Sequence, residues 1–224
     1  MMRNFVLFLI HAVLNLVTKV EVYEQENVPS TGSFVLATNH LGVLDVFMPF
    51  YVLNRWDMFV LVADKWEKQT WVRWLGKSLN FLYIDRFNPN LPALRDVIAR
   101  MKSGQVLVIA PEGTRSRNGA LLEAKPGVSY LAAKLGYPIV PASLAGTSDE
   151  IFFENLRHLR KTHVVLRAGK PFNLPPLPKQ NRDEAMQRYT DEIMCRIAAL
   201  LPESYRGAYA EHPRLKELLG KTDQ

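Results

Sequence analysis

Only one cysteine, Cys195, occurs in the 224 residues. That excludes an intramolecular disulfide framework and a cysteine-based zinc site, and makes a reduced, cytosol-facing setting the default. A long hydrophobic run is also missing. A spanning helix needs ~20 apolar residues; the almost wholly apolar stretch FVLFLIHAVLNLV (5–17) is shorter and carries His11 and Asn15. Arg3 gives it a minimal basic start, but no small-residue cleavage site follows, so signal-peptide character is slight. No internal repeat, low-complexity segment or block of like charge appears, and no Gly-x-Ser-x-Gly is present to form a serine nucleophile elbow.

What is present bounds the answer further. With 48% hydrophobic residues the chain can bury a substantial core, and its length suits one large domain. The formal charge of +6 favours anionic partners, whether nucleic acid, anionic lipid or phosphorylated substrate, although many soluble proteins are mildly basic. Residues 5–17 read as an interfacial helix lying in one leaflet, with a core helix as the alternative. WEKQTWVRWLGKSL (66–79) sets Trp66, Trp71 and Trp74 among cations. Tryptophan beside cations suits a headgroup boundary, and the same three rings could equally pack inside.

Short apolar, β-rich runs at 33–39, 58–63, 80–85, 105–111, 137–144 and 162–169 alternate with helix candidates near 45–53, 65–77, 91–102 and 126–135. Asn90 is a plausible N-cap for the third helix, and Gly104 stands just beyond its end. Continuous apolar strands alternating with helices predict a single α/β domain with a mostly parallel, doubly covered sheet. Beyond a proline-rich connection near 170, residues 182–201 predict an amphipathic helix, and the polar stretch from Pro202 predicts partly loose chain. The expected division is an N-terminal membrane-associating helix over 1–27 and the main domain over 28–224.

In TNHLGVLDVF (38–47), His40 and Asp45 fall where a strand gives way to a helix, the edge at which α/β proteins tend to place sites. Residues five apart in a continuous helix point about 140° away from each other. The two meet only if His40 precedes the helix and Asp45 lies in its first turns, and Gly42 makes such a turn easier. A carboxylate on the imidazole fixes its tautomer and steadies the positive charge, a general-base arrangement. A buried histidine satisfied by a helix carboxylate fits the stretch equally well. APEGTRSRNG (110–119) follows another apolar strand. There Arg115 presents a fork suited to phosphate, Glu112 could orient that arginine or contact substrate hydroxyls, and the backbone at Gly113 and Thr114 could bind an anion. Asp85 and Arg86 end a third strand, where a second arginine would add to a cationic pocket floor or form a local ion pair.

The order of these blocks resembles the glycerolipid acyltransferase family, typified by 1-acylglycerol-3-phosphate acyltransferases. NHLGVLD (39–45), YIDR (83–86), PEGTRS (111–116) and IVPA (139–142) stand in that family's order, and the likeness spans roughly residues 30–170. Two positions depart from it: Ala110 and Ala124 stand where aromatic residues are common, changes that reshape pocket walls without removing a reactive group.

The resemblance implies acyl transfer from an acyl thioester, acyl-CoA or acyl-ACP, to the free hydroxyl of a lysophospholipid-like acceptor such as 1-acylglycerol-3-phosphate. His40 would take the hydroxyl proton with Asp45 holding the imidazole. Arg115 and Arg86 would hold the acceptor phosphate and Glu112 would help position the glycerol, while Gly113 and Thr114 would supply backbone donors. Neither Cys195, in the C-terminal helix, nor Ser116, with no matched base, suits a covalent nucleophile. No cofactor beyond the thioester co-substrate, no metal and no nucleic acid is implied. The expected partners are the lipid substrate, the thioester or its carrier protein, and an anionic membrane surface, with the protein monotopic on the cytoplasmic face. RHLRKTH (157–163) could touch headgroups, coenzyme A phosphates or an acidic carrier, or serve as a solvated basic face.

Overall fold

Strands β1 (Thr18–Tyr23), β2 (Val35–Thr38), β3 (Met58–Ala63), β4 (Phe81–Ile84), β5 (Val106–Ile109), β6 (Ile139–Ala145) and β7 (Thr162–Ala168) form one sheet in the order β1-β7-β6-β2-β5-β3-β4. The structure, a computed structural model, describes residues 2–53, 55–85 and 91–220. All neighbours pair in parallel except β6 and β7, so β1 and β7 run opposite to the other five. The chain is thus the single α/β domain with a mostly parallel sheet that its sequence predicts.

Helices cover both faces: α1 (Met2–Val17), α2 (Met48–Val52), α3 (Thr70–Leu79), α4 (Leu91–Lys102), α5 (Gly127–Leu135), α6 (Asp149–Arg157), α7 (Arg182–Ala199) and α8 (Pro213–Gly220). Alternate residues of a strand point to opposite faces, and the central strands show it. Val35 and Ala37 of β2 join Met101, Leu131 and Ile193 from α4, α5 and α7. Phe34 and Leu36 instead join Val6, Phe50 and Leu79 from α1, α2 and α3. Leu14 of α1 and Phe152 of α6 extend this second layer over β7. Burial on both faces is why β2 and β5 read as unbroken apolar runs, each large side chain contributing about 1.5–3 kcal/mol.

Three elements lie outside the predicted set. β1 (TKVEVY) alternates charged and apolar residues because it is an edge strand paired only with β7, from Thr18↔Thr162 to Tyr23↔Arg167. α6 begins at Ser148, whose hydroxyl accepts from the Ile151 N–H, with Asp149 and Glu150 in its first turn. The stretch after Pro202 is ordered rather than loose. It makes two short 3₁₀ turns and then α8, with Tyr209 and Leu215 buried and the Tyr209 hydroxyl accepting from Ala124 N–H at 3.1 Å. The candidate N-cap Asn90 lies outside the described residues.

Candidate active site

The site begins where β2 ends. Asn39 is fully buried and bonds across to β6 in both directions: its amide donates to the Leu144 carbonyl and its side-chain oxygen accepts from the Leu144 N–H, each at 2.8 Å. This fixes the point at which the chain leaves the sheet. His40 follows, and at Gly42 the backbone passes so close to its neighbours that a Cβ would stand 2.1 Å from the Thr147 carbonyl oxygen and 2.8 Å from an Asp149 oxygen. Glycine is needed there for space, since its own backbone is extended.

A short 3₁₀ turn over Val43–Val46 then carries Asp45 back under His40. His40 Nδ1 lies 2.9 Å from Asp45 Oδ2, and the same oxygen accepts from the backbone N–H groups of Leu41 at 2.5 Å and Gly42 at 2.8 Å. The Asp45 side chain is 4% exposed and that of His40 23%. The carboxylate is therefore fixed from below, and Nδ1–H donates to it. Nε2 is the ring nitrogen left to face the cleft.

The loop after β5 clasps His40 by its backbone. Glu112 is buried; Oε1 accepts from the His40 N–H at 2.9 Å and Oε2 from the Leu122 N–H at 2.8 Å. Burial pushes this carboxyl up to about 7, against the pull of those two donors. Ser116 N–H donates to the His40 carbonyl at 2.8 Å. Glu112 thus lies beneath the loop rather than on the cleft wall, with both oxygens engaged by backbone donors. Gly113, with φ +67°, turns the chain and spends its N–H on the Ala110 carbonyl at 3.0 Å, so that donor is not offered to an anion. Thr114 is exposed and stands off the cleft wall. Arg115 does line the cleft and donates through Nη1 to Asp149 Oδ2 at 2.7 Å.

A cleft of about 460 Å³ opens at the C-terminal ends of the parallel strands. His40, Gly113, Arg115 and Lys125 bound its polar end, and Val62, Trp71, Leu75, Phe81, Val108 and Val128 are among its apolar walls. Ala110 lines it too, at the first of the two departures. Asp85 borders the cleft, whereas Arg86 lies outside the described residues. Lys125, Asn39 and Asp149 belong to this neighbourhood although sequence reasoning did not single them out. Asn39 was open to it, as the residue immediately before His40. Lys125 stands just before the helix candidate at 126–135, and its stem passes 3.5 Å from where a Gly113 Cβ would be.

Cys195 is remote from this chemistry. It is buried in α7 with its sulfur 3.3 Å from His212 Nδ1, which also accepts from the Arg214 N–H, and burial pushes the thiol up to about 12. A thiol so hard to ionise is no nucleophile.

The comparisons with known proteins agree with the geometry. The 1-acyl-sn-glycerol-3-phosphate acyltransferase of Bacillus subtilis is 26% identical over 201 residues, covering 89% of this chain and 96% of its own. That of Cocos nucifera is 28% identical over 174 residues, covering 75% of this chain and 54% of the longer relative. Among solved structures, the 1-acyl-sn-glycerophosphate acyltransferase PlsC from Thermotoga maritima superposes with a TM-score of 0.63 at 26% identity, over 85% of this chain and 77% of that one. The Acyltransferase family model matches residues 19–145, more than half of the chain and every block around the cleft, and the protein belongs to the acyltransferase family.

Proposed function

We propose that the protein transfers a fatty acyl group from an acyl thioester, acyl-CoA or acyl-ACP, to the free hydroxyl of 1-acylglycerol-3-phosphate, giving phosphatidate. The observation that carries this reading is the His40–Asp45 pair at the polar end of a cleft whose remaining walls are apolar. The acceptor hydroxyl would give its proton to His40 Nε2 as its oxygen attacks the thioester carbonyl. Collapse of the tetrahedral intermediate then expels the thiolate, which takes the proton back from the imidazolium. Asp45 stabilises that imidazolium and keeps Nδ1 protonated. Arg115 at the same end supplies a guanidinium for the acceptor phosphate, and the apolar walls suit the acyl chain. The names of the Bacillus and coconut relatives favour lysophosphatidate over other acceptors.

No helix among the described residues is long and apolar enough to cross a membrane. α1 instead buries Val6, Leu7 and Leu14 and turns Phe8 (67% exposed), Val13 and Leu16 (73%) outward. On the same side of the sheet α3 exposes Trp71 and Trp74, and α6 exposes Ile151, Phe153 and Leu156 just before Arg157, Arg160 and Lys161. Lys161 Nζ donates to the Asn15 carbonyl at 2.7 Å, joining the basic segment to the end of α1. Apolar side chains ringed by cations fit an anionic bilayer surface. This supports a monotopic protein on the cytoplasmic membrane face. Trp71 both lines the cleft and stands exposed, so a lipid could enter from that side.

The test is acylation of lysophosphatidate in vesicles by purified protein with acyl-CoA, wild type against His40→Ala. Phosphatidate from wild type alone supports the proposal. Product from wild type with an acyl-ACP donor only, or with another lysolipid only, would reassign the donor or the acceptor.

A further inference from the structure

We propose that Asp149 is a positioning residue that holds Arg115 in place for the acceptor phosphate and couples it to the catalytic turn, an inference that rests on the acyl-transfer reading above. Asp149 is the first residue of α6, 106 positions along the chain from Val43 and 34 from Arg115. Its two oxygens divide between them: Oδ1 accepts from the Val43 N–H at 2.7 Å and Oδ2 from Arg115 Nη1 at 2.7 Å. Val43 opens the 3₁₀ turn that carries Asp45. One carboxylate therefore ties the turn that presents the His40–Asp45 pair to the cation that bounds the same cleft.

The surrounding structure is built to keep it there. Gly42 admits the Asp149 side chain and the Thr147 carbonyl at distances no other residue would allow. Gly146, with φ +83°, brings β6 to a close approach with β7, where a Cβ would stand 2.1 Å from the His163 carbonyl oxygen. The Ser148 cap starts α6 at the next step, and a carboxylate in the first turn complements the positive end of the helix. Glu112, the other carboxylate near Arg115 in sequence, is committed to two backbone donors. Orientation of the arginine thus falls to Asp149. Among described residues the contact engages Nη1 alone. Both side chains remain over a third exposed, so a phosphate can reach the guanidinium without breaking the pair.

Asp149→Asn separates this role from a structural one. The amide oxygen can still accept from Val43 N–H, while its NH2 meets Arg115 donor to donor. Steady-state kinetics on lysophosphatidate and acyl-CoA, with melting temperatures, should show the acceptor KM of Asp149→Asn raised roughly ten-fold, the scale of one lost charge-assisted contact. The acyl-CoA KM and the melting temperature should stay near wild type. In an Arg115→Ala background the same substitution should leave the acceptor KM unchanged, because it acts through the arginine. An unchanged or lowered acceptor KM in Asp149→Asn overturns the proposal, as does a further rise in the Arg115→Ala background. Calorimetric binding of glycerol 3-phosphate keeps the two proposals apart. If wild type makes no phosphatidate yet Asp149→Asn and Arg115→Ala weaken that binding equally, the positioning role stands and the acceptor assignment fails.

Discussion

His40 and Asp45 meet at 2.9 Å across a turn held from three directions: Asn39 locks its start to β6, Glu112 and Ser116 hold the backbone of His40, and Leu41 and Gly42 donate to the Asp45 oxygen that His40 uses. The pair is set before any substrate arrives, so no reorganisation is required of it during reaction.

Removing the base should show this directly. His40→Ala is expected to lower kcat by about 10²–10⁴ with the melting temperature nearly unchanged, because the ring is partly exposed and its backbone contacts survive. Asp45→Asn should lose a comparable share of kcat and also lower the melting temperature, since an amide offers the buried Leu41 and Gly42 donors a poorer partner. Wild-type turnover by His40→Ala would refute the mechanism.

Glu112 makes stability depend on pH. Its folded-state pKa of about 7 stands above its ordinary 4.5, so between these values the native protein binds more protons than the unfolded chain. The contribution of this group therefore declines as pH rises from 4.5 to 7, by at most about 1.4 kcal/mol per pH unit, and is level above. Glu112→Gln abolishes the titration and turns an NH2 toward one of two backbone donors, costing about 1–3 kcal/mol. Urea unfolding at pH 5 and pH 8 should find the wild-type advantage over Glu112→Gln larger at pH 5. An equal or reversed difference would place the titration elsewhere.

Chain-length preference should follow the cleft. Leu75 of α3 lies on the apolar wall, and Leu75→Trp shortens the space available to an acyl tail. With a series of acyl-CoA donors the variant should shift its optimum to shorter chains, each excluded methylene costing about 0.8 kcal/mol of binding. An unaltered profile with intact fold would mean the tail lies elsewhere.

The outer face of α1 should govern membrane affinity. Phe8→Glu combined with Leu16→Glu leaves the packed residues Val6, Leu7 and Leu14 untouched and places charge where apolar surface would enter the headgroup layer. Co-sedimentation with anionic vesicles should fall by at least ten-fold, the scale of losing about 1.5–3 kcal/mol per large side chain, with no change in melting temperature. Retained binding would shift the docking surface to α3 and α6.

Reading the chain alone recovered the parallel core because β2, β3 and β5 are apolar on both faces, and such runs alternating with amphipathic helices have few other solutions. It also named the one geometry in which His40 and Asp45 could meet, with His40 ahead of the helix and Asp45 in its first turns, and the turn after Gly42 has that geometry. β1 and α8 escaped notice because each shows water much of its surface, so their apolar residues are too sparse to set a period.

What the sequence by itself determined was the class of fold, the one geometry in which His40 and Asp45 could pair, and a cation near the same sheet edge. Only the tertiary structure decided which polar groups face one another: that Asn39 fastens to Leu144, that Glu112 serves the backbone of His40 instead of Arg115, and that Asp149 takes the arginine. Periodicity reports which side of an element is apolar. The partner of a buried polar group such as Asn39 or Glu112 is chosen by desolvation, which penalises any donor or acceptor left unmatched wherever the chain brings it.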